Sequence, residues 1–359
     1  MNYVIREEGG VKFLAPNIDV YGSIYSAPVF YNPAMEKNRT LSVLLLKAFG
    51  GLHGTGLTVC EPLSGTGIRG IRYAVESGVV GRLILNDLSK EAVEVIKKNL
   101  VLNGVDAEVY NEDANVLLHR MEGKCDVVDI DPFGSPAPFV HAGFRALRDG
   151  GLLCATATDT AVLVGKYSRK CLRRYGAVIK RTPFYIELGL RNLLGFIARA
   201  AAAEDFGATP LLSYWEGHYF RTCIHVTKGA RDADDLLNYV KYVEYKKGFR
   251  RVVSRLTENS SGPLWVGPLG DPHVVHVMSN YGPYSQFLKI LEEEYSTDVP
   301  WFYRTIEFAA GGRSPTLEEI VERLRGAGIY AAKTHMAYDG FKSEEPYGVL
   351  AVFLKSGLF

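Results

Sequence analysis

Cys125-Asp126-Val127-Val128-Asp129-Ile130-Asp131-Pro132-Phe133-Gly134-Ser135-Pro136 passes within a few residues from an apolar run into Asp-Pro-Phe-Gly. A short run of this kind reads as a buried parallel strand that stops at a turn. Ligands of open α/β sheets bind beyond the carboxyl ends of the strands. Asp131, Pro132 and Phe133 therefore stand where chemistry is expected.

On either side of this stretch the pattern alternates. Strands are predicted over 57–61, 82–86, 107–110, 126–130 and 151–157, and helices over 67–77, 89–102, 115–121 and 138–147. This βαβα order predicts a doubly wound parallel sheet of Rossmann-like class. A helix over 34–49 precedes it, after a strand-like and turn-rich N-terminal segment. A long buried helix over 186–203 and an antiparallel pair, 211–214 and 219–226, close the series. Beyond Lys228-Gly229-Ala230 the stretch to about 275 reads as polar, basic and irregular. Helices follow over 284–294 and 316–325. The second has Pro315 before it, a Thr316/Glu319 capping box and Gly326 and Gly328 at its end. Strands over 330–337 and 347–354, joined at Asp339-Gly340, complete a small winged-helix-like α+β module. The expected domains are 1–228, catalytic, and 229–359, smaller.

With 359 residues the chain is long enough for about two cores. Its net charge of +1 neither demands nor excludes a nucleic-acid partner, which a local basic patch would have to serve. No apolar run approaches the roughly 18 residues of a membrane span and no N-terminal signal pattern is present, so a cytoplasmic protein with no membrane partner is expected. The five cysteines are widely spaced without zinc-binding spacing and read as small buried thiols; His273 and His276 are the one close histidine pair, and no metal is expected.

Cys60-Glu61-Pro62-Leu63-Ser64-Gly65-Thr66-Gly67-Ile68-Arg69-Gly70 contains a GxGxxG turn between a strand and a helix, and Asp87 closes the next strand. Both elements suit a nicotinamide oxidoreductase and an S-adenosylmethionine (SAM) methyltransferase equally. Glu61 favours the second, because an acid before the glycines suits a methionine ammonium or sulfonium and poorly suits a pyrophosphate. Asp113 and Ala114, after the third strand, can meet the adenine amino group and a ring nitrogen. Asp113 also reads as a helix N-cap.

Asp-Pro-Phe at the fourth strand end is a pattern of enzymes that methylate exocyclic amino groups of nucleobases. Such an amine is a poor nucleophile, since its lone pair is delocalised into the ring. Asp131 and the Pro132 carbonyl can accept its N–H groups, turning the lone pair toward a methyl donor and taking up developing charge. Phe133 can stack on a base flipped from its helix.

The chain resembles the tRNA guanine-N2 dimethyltransferases of archaea and eukaryotes. The resemblance is carried by Pro28-Val29-Phe30-Tyr31-Asn32-Pro33, Asn38-Arg39, Ser64 to Gly70, Asn86-Asp87, Asp113-Ala114, Asp129 to Pro136, Ala155 to Asp159, His218 to Arg221, and Gly262 to Leu269. It implies SAM as methyl donor and N2-methyl- then N2,N2-dimethylguanosine at position 26 of tRNA. It also implies a family-specific C-terminal domain. By residue match, Arg39, Arg69, Asp87, Asp113 and Ala114 join Glu61, Gly65 and Gly67 as cofactor-binding positions, Asp131 is the catalytic acceptor, and Phe30 and Phe133 flank the guanine. Many members carry a four-cysteine zinc site in the region where this chain, with no cysteine after Cys223, has none; the fold of residues 230–262 is left unassigned.

Two basic clusters are candidate tRNA contacts. One holds Arg169, Lys170, Arg173 and Arg174, with Lys180 and Arg181 nearby. The other, with Lys246, Lys247, Arg250 and Arg251 at its centre, is interleaved with Tyr242, Tyr245 and Phe249. Methylation of another purine amino group in structured RNA is the alternative within the same chemistry. A nicotinamide oxidoreductase and a non-catalytic RNA-binding protein that kept a SAM fold are the other classes. Glu61 and Asp131-Pro132-Phe133 speak against the oxidoreductase, and the intact Asp87, Asp113 and Asp131 against the loss of catalysis.

Overall fold

The computed structural model describes residues 2–309 and 315–355. The backbone forms two compact units: the chain up to Thr156 with Cys223–Lys228, and Ala157–Thr222 with the chain from Gly229 onward.

The first unit opens with an antiparallel hairpin, β1 (Tyr3–Glu8) and β2 (Val11–Pro16), and a single exposed turn, α1 (Ile18–Tyr21). Helix α2 (Glu36–His53) leads into the alternating series: β3 (Leu57–Glu61), α3 (Ile68–Glu76), β4 (Val80–Asn86), α4 (Lys90–Asn103), β5 (Glu108–Tyr110), α5 (Ala114–Arg120), β6 (Cys125–Ile130), α6 (Val140–Ala146) and β7 (Leu147–Ala157). Every residue of β3 is buried, as expected of a central strand covered on both faces. β5, β4, β3, β6 and β7 lie side by side and pair in parallel. The chain runs from β3 outward through β4 to β5, then returns to the other side of β3 with β6. The order therefore reverses between β3 and β6, and the crevice at such a switch point is the usual ligand site. Glu61 and Asp131 stand at the ends of those two strands.

In the second unit α7 (Thr160–Leu163), α8 (Ser168–Tyr175) and α9 (Tyr185–Ala203) precede β8 (Phe206–Glu216); β9 (Tyr219–Lys228) follows, and its Cys223–Lys228 part belongs to the first unit. Their two-residue connection makes β8 and β9 a hairpin, and the sheet order is β5-β4-β3-β6-β7-β9-β8. α10 (Ala230–Leu237), β10 (Val240–Lys246), β11 (Phe249–Val253) and β12 (Ser260–Trp265) follow, then α11 (Pro272–Ser279), α12 (Ser285–Tyr295) and β13 (Tyr303–Arg304). Last come α13 (Leu317–Gly326), β14 (Ala332–Lys333), β15 (Gly340–Lys342) and α14 (Tyr347–Lys355).

Three expectations meet a different structure. The stretch 230–275 is ordered rather than irregular, with β11-β10-β12 forming a sheet. Lysines and arginines on its outward face hid the strand alternation. Residues 347–354 form helix α14 and not a strand. A short apolar run carries no periodicity that separates the two. Cys154 and Cys223, expected as thiols, form a disulfide, while Cys60, Cys125 and Cys171 are free and buried. By backbone contacts, residues 157–222 cluster with the chain beyond 229. Close packing of α9 on β12 holds them there: a Cβ on Gly195 would lie 2.9 Å from the Trp265 nitrogen.

Candidate active site

The glycine turn after β3 is built by backbone need. Gly65 and Gly67 have φ of +55° and +75°, which side chains rarely adopt. A Cβ on Gly65 would also strike the Phe30 carbonyl at 2.8 Å. Asp87, just past β4, accepts from the Gly65 N–H and the Ser89 N–H, both at 2.9 Å, so the acid at the second strand end also fixes the turn. Burial raises its carboxyl above the ordinary range, against those two donors. Asn86, fully buried, donates to the carbonyls of Pro62 and Glu112 and so ties the first turn to the loop of Asp113. Asp113 caps α5, accepting from Asn115 and Val116, and Ala114 is buried behind it.

Arg69 is the centre of the site. It lies in the first turn of α3, is 2% exposed, and donates through Nη1 to Asn38 at 2.7 Å and Ser42 at 3.2 Å. Its Nη2 binds Oδ2 of Asp131, Nη1 is 3.7 Å from Asp129, and Nε is 3.5 Å from Glu61. Burial would lower the arginine, but Asp131, Asp129 and Glu61 together hold it well above its usual value. Tyr73 donates to Asp129 at 2.5 Å. Glu61 accepts from the Gly70 N–H at 3.1 Å, yet its carboxyl is pushed up to about 8. Burial is the main cause; Arg69 opposes it, but that one cation is shared among three carboxylates, and Asp129 and Asp131 add repulsion. The surroundings are thus short of positive charge, although Nε of Arg69, 3.5 Å from Glu61, makes no hydrogen bond. A cationic ligand is what such a site lacks.

Asp131 is partly open, its side chain 20% exposed. Arg69 takes Oδ2, and Oδ1 has no hydrogen bond among the described residues. Phe30 and Phe133 meet edge to face with centroids 4.0 Å apart. Arg39, also expected at the cofactor, forms a paired contact with Glu8 at 2.6 and 2.5 Å and reaches the Asn32 carbonyl at 3.2 Å. Arg72 binds the same Glu8 at 2.8 Å. Burial would raise the Glu8 carboxyl, but these two guanidiniums hold it below its ordinary value. Arg39 thereby anchors the segment carrying Phe30. Glu8, Asn38, Ser42, Arg72, Tyr73, Asn86 and Asp129 have no role that the sequence alone announces, although Asn38, Asn86 and Asp129 lie inside the strings that carry the resemblance.

Against this geometry, the family model described as N2,N2-dimethylguanosine tRNA methyltransferase matches residues 9–355. The chain belongs to this family. It is 70% identical over 352 residues to the tRNA (guanine(26)-N2)-dimethyltransferase of Pyrobaculum aerophilum, covering 98% of this chain and 96% of that one. It is 38% identical to the enzyme of the same name from Thermococcus kodakarensis, over 99% of this chain and all of the other. The structure of Trm1 from Pyrococcus horikoshii in complex with S-adenosyl-L-methionine aligns with a TM-score of 0.87 at 33% identity, covering 98% and 99% of the two chains.

Family membership directs attention to the basic residues of the second unit. In α8, Arg169, Lys170, Arg173 and Arg174 are exposed. The hairpin β10–β11 turns at Lys247-Gly248, both with positive φ, and divides its side chains between two faces. Lys246, Phe249 and Arg251 share the outward face, lining with Glu244 a cavity of about 510 Å³. Arg251 pairs with Glu244 at 2.7 Å. Arg250 departs from its expected role. Its side chain is fully buried, binds Glu307 through Nη2 at 2.7 Å, and lies over the rings of Tyr303 and Phe184 at 4.3 and 4.9 Å. It sits one position out of register with the solvent-facing row, so it holds the unit together instead of meeting a phosphate. Among the described residues no group of three or more His, Cys, Asp or Glu is placed to hold a metal, and no helix is long and apolar enough to cross a membrane.

Proposed function

We propose that this chain transfers methyl groups from SAM to the exocyclic N2 of guanine 26 in tRNA, giving N2-methyl- and then N2,N2-dimethylguanosine. One observation carries the reading: Asp131, at the end of β6, is held through Oδ2 by Arg69 of the glycine-turn helix, while its second oxygen makes no hydrogen bond among the described residues. A methyl acceptor and a methyl donor are thereby brought to one place by a single side chain.

Each residue has a task in that reaction. The Gly65–Gly67 backbone lets the donor approach, Asp87 suits ribose hydroxyls, Asp113 and Ala114 the adenine edge, and Glu61 the methionine ammonium. The residues fit a cation, since the buried acids around Arg69 outnumber it. SAM supplies an electrophilic methyl carbon. The free oxygen of Asp131 and the Pro132 carbonyl accept the two N–H groups of the guanine amine and turn its lone pair out of conjugation. Arg69 holds Asp131 in place and aims its second oxygen. The proton released on methylation passes to the partly exposed Asp131 and from there to water. Phe30 and Phe133 offer ring faces to the base. The hairpin lysines, Arg251 and the arginines of α8 suit the phosphates of tRNA, and the reading carries with it a cytoplasmic location.

The test is methyl transfer from labelled SAM to an unmodified tRNA transcript with guanine 26, followed by nucleoside analysis. Label is expected in mono- and dimethylguanosine, with a loss of at least a hundredfold on Asp131→Ala. Label in a different nucleoside, or full activity of Asp131→Ala, overturns the assignment.

A further inference from the structure

Phe30 and Phe133 cannot both stack on a guanine as they stand. Their centroids are 4.0 Å apart at 67°, so each ring fills the space the base would occupy. A planar base with a ring on each face needs those rings about 7 Å apart, twice the van der Waals contact distance. One ring must move. Phe30 is the more constrained, since it is half-buried, its carbonyl closes on Gly65 and Arg39 ties the backbone down at the Asn32 carbonyl. Phe133 is free to move: it is 62% exposed, and Gly134 follows it at φ +84° with open space around its α-carbon.

Where Phe133 would go is visible on its other side. The ring of Tyr25 lies 6.2 Å away, tilted at 46°. Tyr25 is 78% exposed, its hydroxyl makes no hydrogen bond among the described residues, and α1 before it buries no side chain. Core packing therefore does not account for a ring at this position. Its backbone is nevertheless held, by a turn in which the Ser26 N–H donates to the Ser23 carbonyl at 3.3 Å and the two serine hydroxyls meet at 2.9 Å. An exposed ring on a braced turn, next to the ring that has to move, is a receiving surface.

We propose that Tyr25 is a substrate-positioning residue: it receives Phe133 when guanine replaces that ring against Phe30. Three aromatic rings then stand in a row, closed without substrate and opened by transfer of the middle ring from one neighbour to the other. Phe133 gives up its edge-to-face pairing with Phe30 and closes on Tyr25, with which it is already in tilted contact, so opening costs little. This inference rests on the proposed guanine methylation.

The experiment compares wild type, Tyr25→Ala and Tyr25→Phe with tRNA at saturating SAM, and uses tRNA carrying 2-aminopurine at position 26, which keeps the amino group and fluoresces when unstacked from the helix. Tyr25→Ala is expected to raise KM for tRNA about tenfold, with kcat, SAM affinity and melting temperature near wild type. The fluorescence change on binding should shrink in parallel. Tyr25→Phe should behave as wild type, because the ring and not the hydroxyl does the work. An unchanged KM and fluorescence change in Tyr25→Ala, in a wild-type background that methylates guanine 26, overturns the role of Tyr25 alone. A wild-type chain that binds SAM but neither methylates the tRNA nor changes the fluorescence overturns the functional reading and this inference together.

Discussion

Glu61 makes SAM affinity a function of pH with a sign the structure dictates. Without ligand its carboxyl is pushed to about 8, first by burial and then by Asp129 and Asp131, with Arg69 unable to compensate all three acids. At pH 6 about 1% of it is ionised, and at pH 8 about half. A ligand ammonium beside it favours the ionised form, so below pH 8 binding must expel a proton. Affinity should rise about tenfold per pH unit between about 6 and 8, roughly 1.4 kcal/mol per unit, and level off above. Stability of the unliganded protein moves the other way. The folded pKa lies above the ordinary value of 4.5, so between about 4.5 and 8 the unfolded chain has already released a proton that the folded chain holds. Stability is full below that window and declines as pH rises through it. Titration calorimetry in two buffers of different ionisation heat reads the proton directly: close to one should leave per SAM bound at pH 6.5. Glu61→Gln should bind SAM more weakly at pH 8, release no proton and show a flat profile. A wild-type dissociation constant that changes less than threefold from pH 6 to 8, or a slope that survives in Glu61→Gln, would refute this account.

Arg69→Gln leaves two buried carboxylates, Glu61 and Asp129, and the partly exposed Asp131 without their shared cation. It should cost about 3–5 kcal/mol in denaturant unfolding and remove at least a hundredfold of single-turnover methyl transfer; stability within about 0.5 kcal/mol of wild type would show that Arg69 is not their partner. The Cys154–Cys223 disulfide closes a loop with a sequence separation of 69, so its loss should destabilise by about 4 kcal/mol. Alkylation of the denatured, unreduced chain should then label Cys60, Cys125 and Cys171 alone, and labelling of all five cysteines would exclude the bridge. Lys246→Ala with Lys247→Ala should weaken tRNA binding and flatten its dependence on log salt by about one to two phosphates. Arg250→Ala should instead lower the melting temperature with little change in that slope; the opposite pattern would reverse the assignment of the two hairpin faces.

The central sheet was legible because β3 and β6 are short apolar runs closed by turns and α4 between the outer strands carries a 3.6-residue stripe. Asp113 was readable both as a helix cap and as an adenine acceptor, and the cap is in place. The network of Glu8, Arg39 and Arg72 left no such imprint. Glu8 is 31 residues from Arg39 and 64 from Arg72, and ion pairs across such distances follow no period. The hairpin shows the same limit at short range. Lys246, Lys247, Arg250 and Arg251 look like one basic run, but strand alternation sends Arg250 into an aromatic cage and its neighbour to solvent. Charge counted along the chain is blind to face.

Arg69 shows why the two motifs meant more together than apart. The fingerprint GxGxxG leaves its fifth position open, and a turn with that spacing serves dinucleotides and SAM alike. In this chain the open position holds an arginine, and the first turn of α3 projects it across the crevice from the β3 turn to the Asp-Pro-Phe-Gly end of β6. A nicotinamide site would have no use for a buried cation committed to a carboxylate on the next strand. In the proposed methyl transfer that cation has a task, to hold and aim the acceptor carboxylate. The ambiguity of the glycine turn is therefore resolved by the side chain at the position its own fingerprint leaves unspecified.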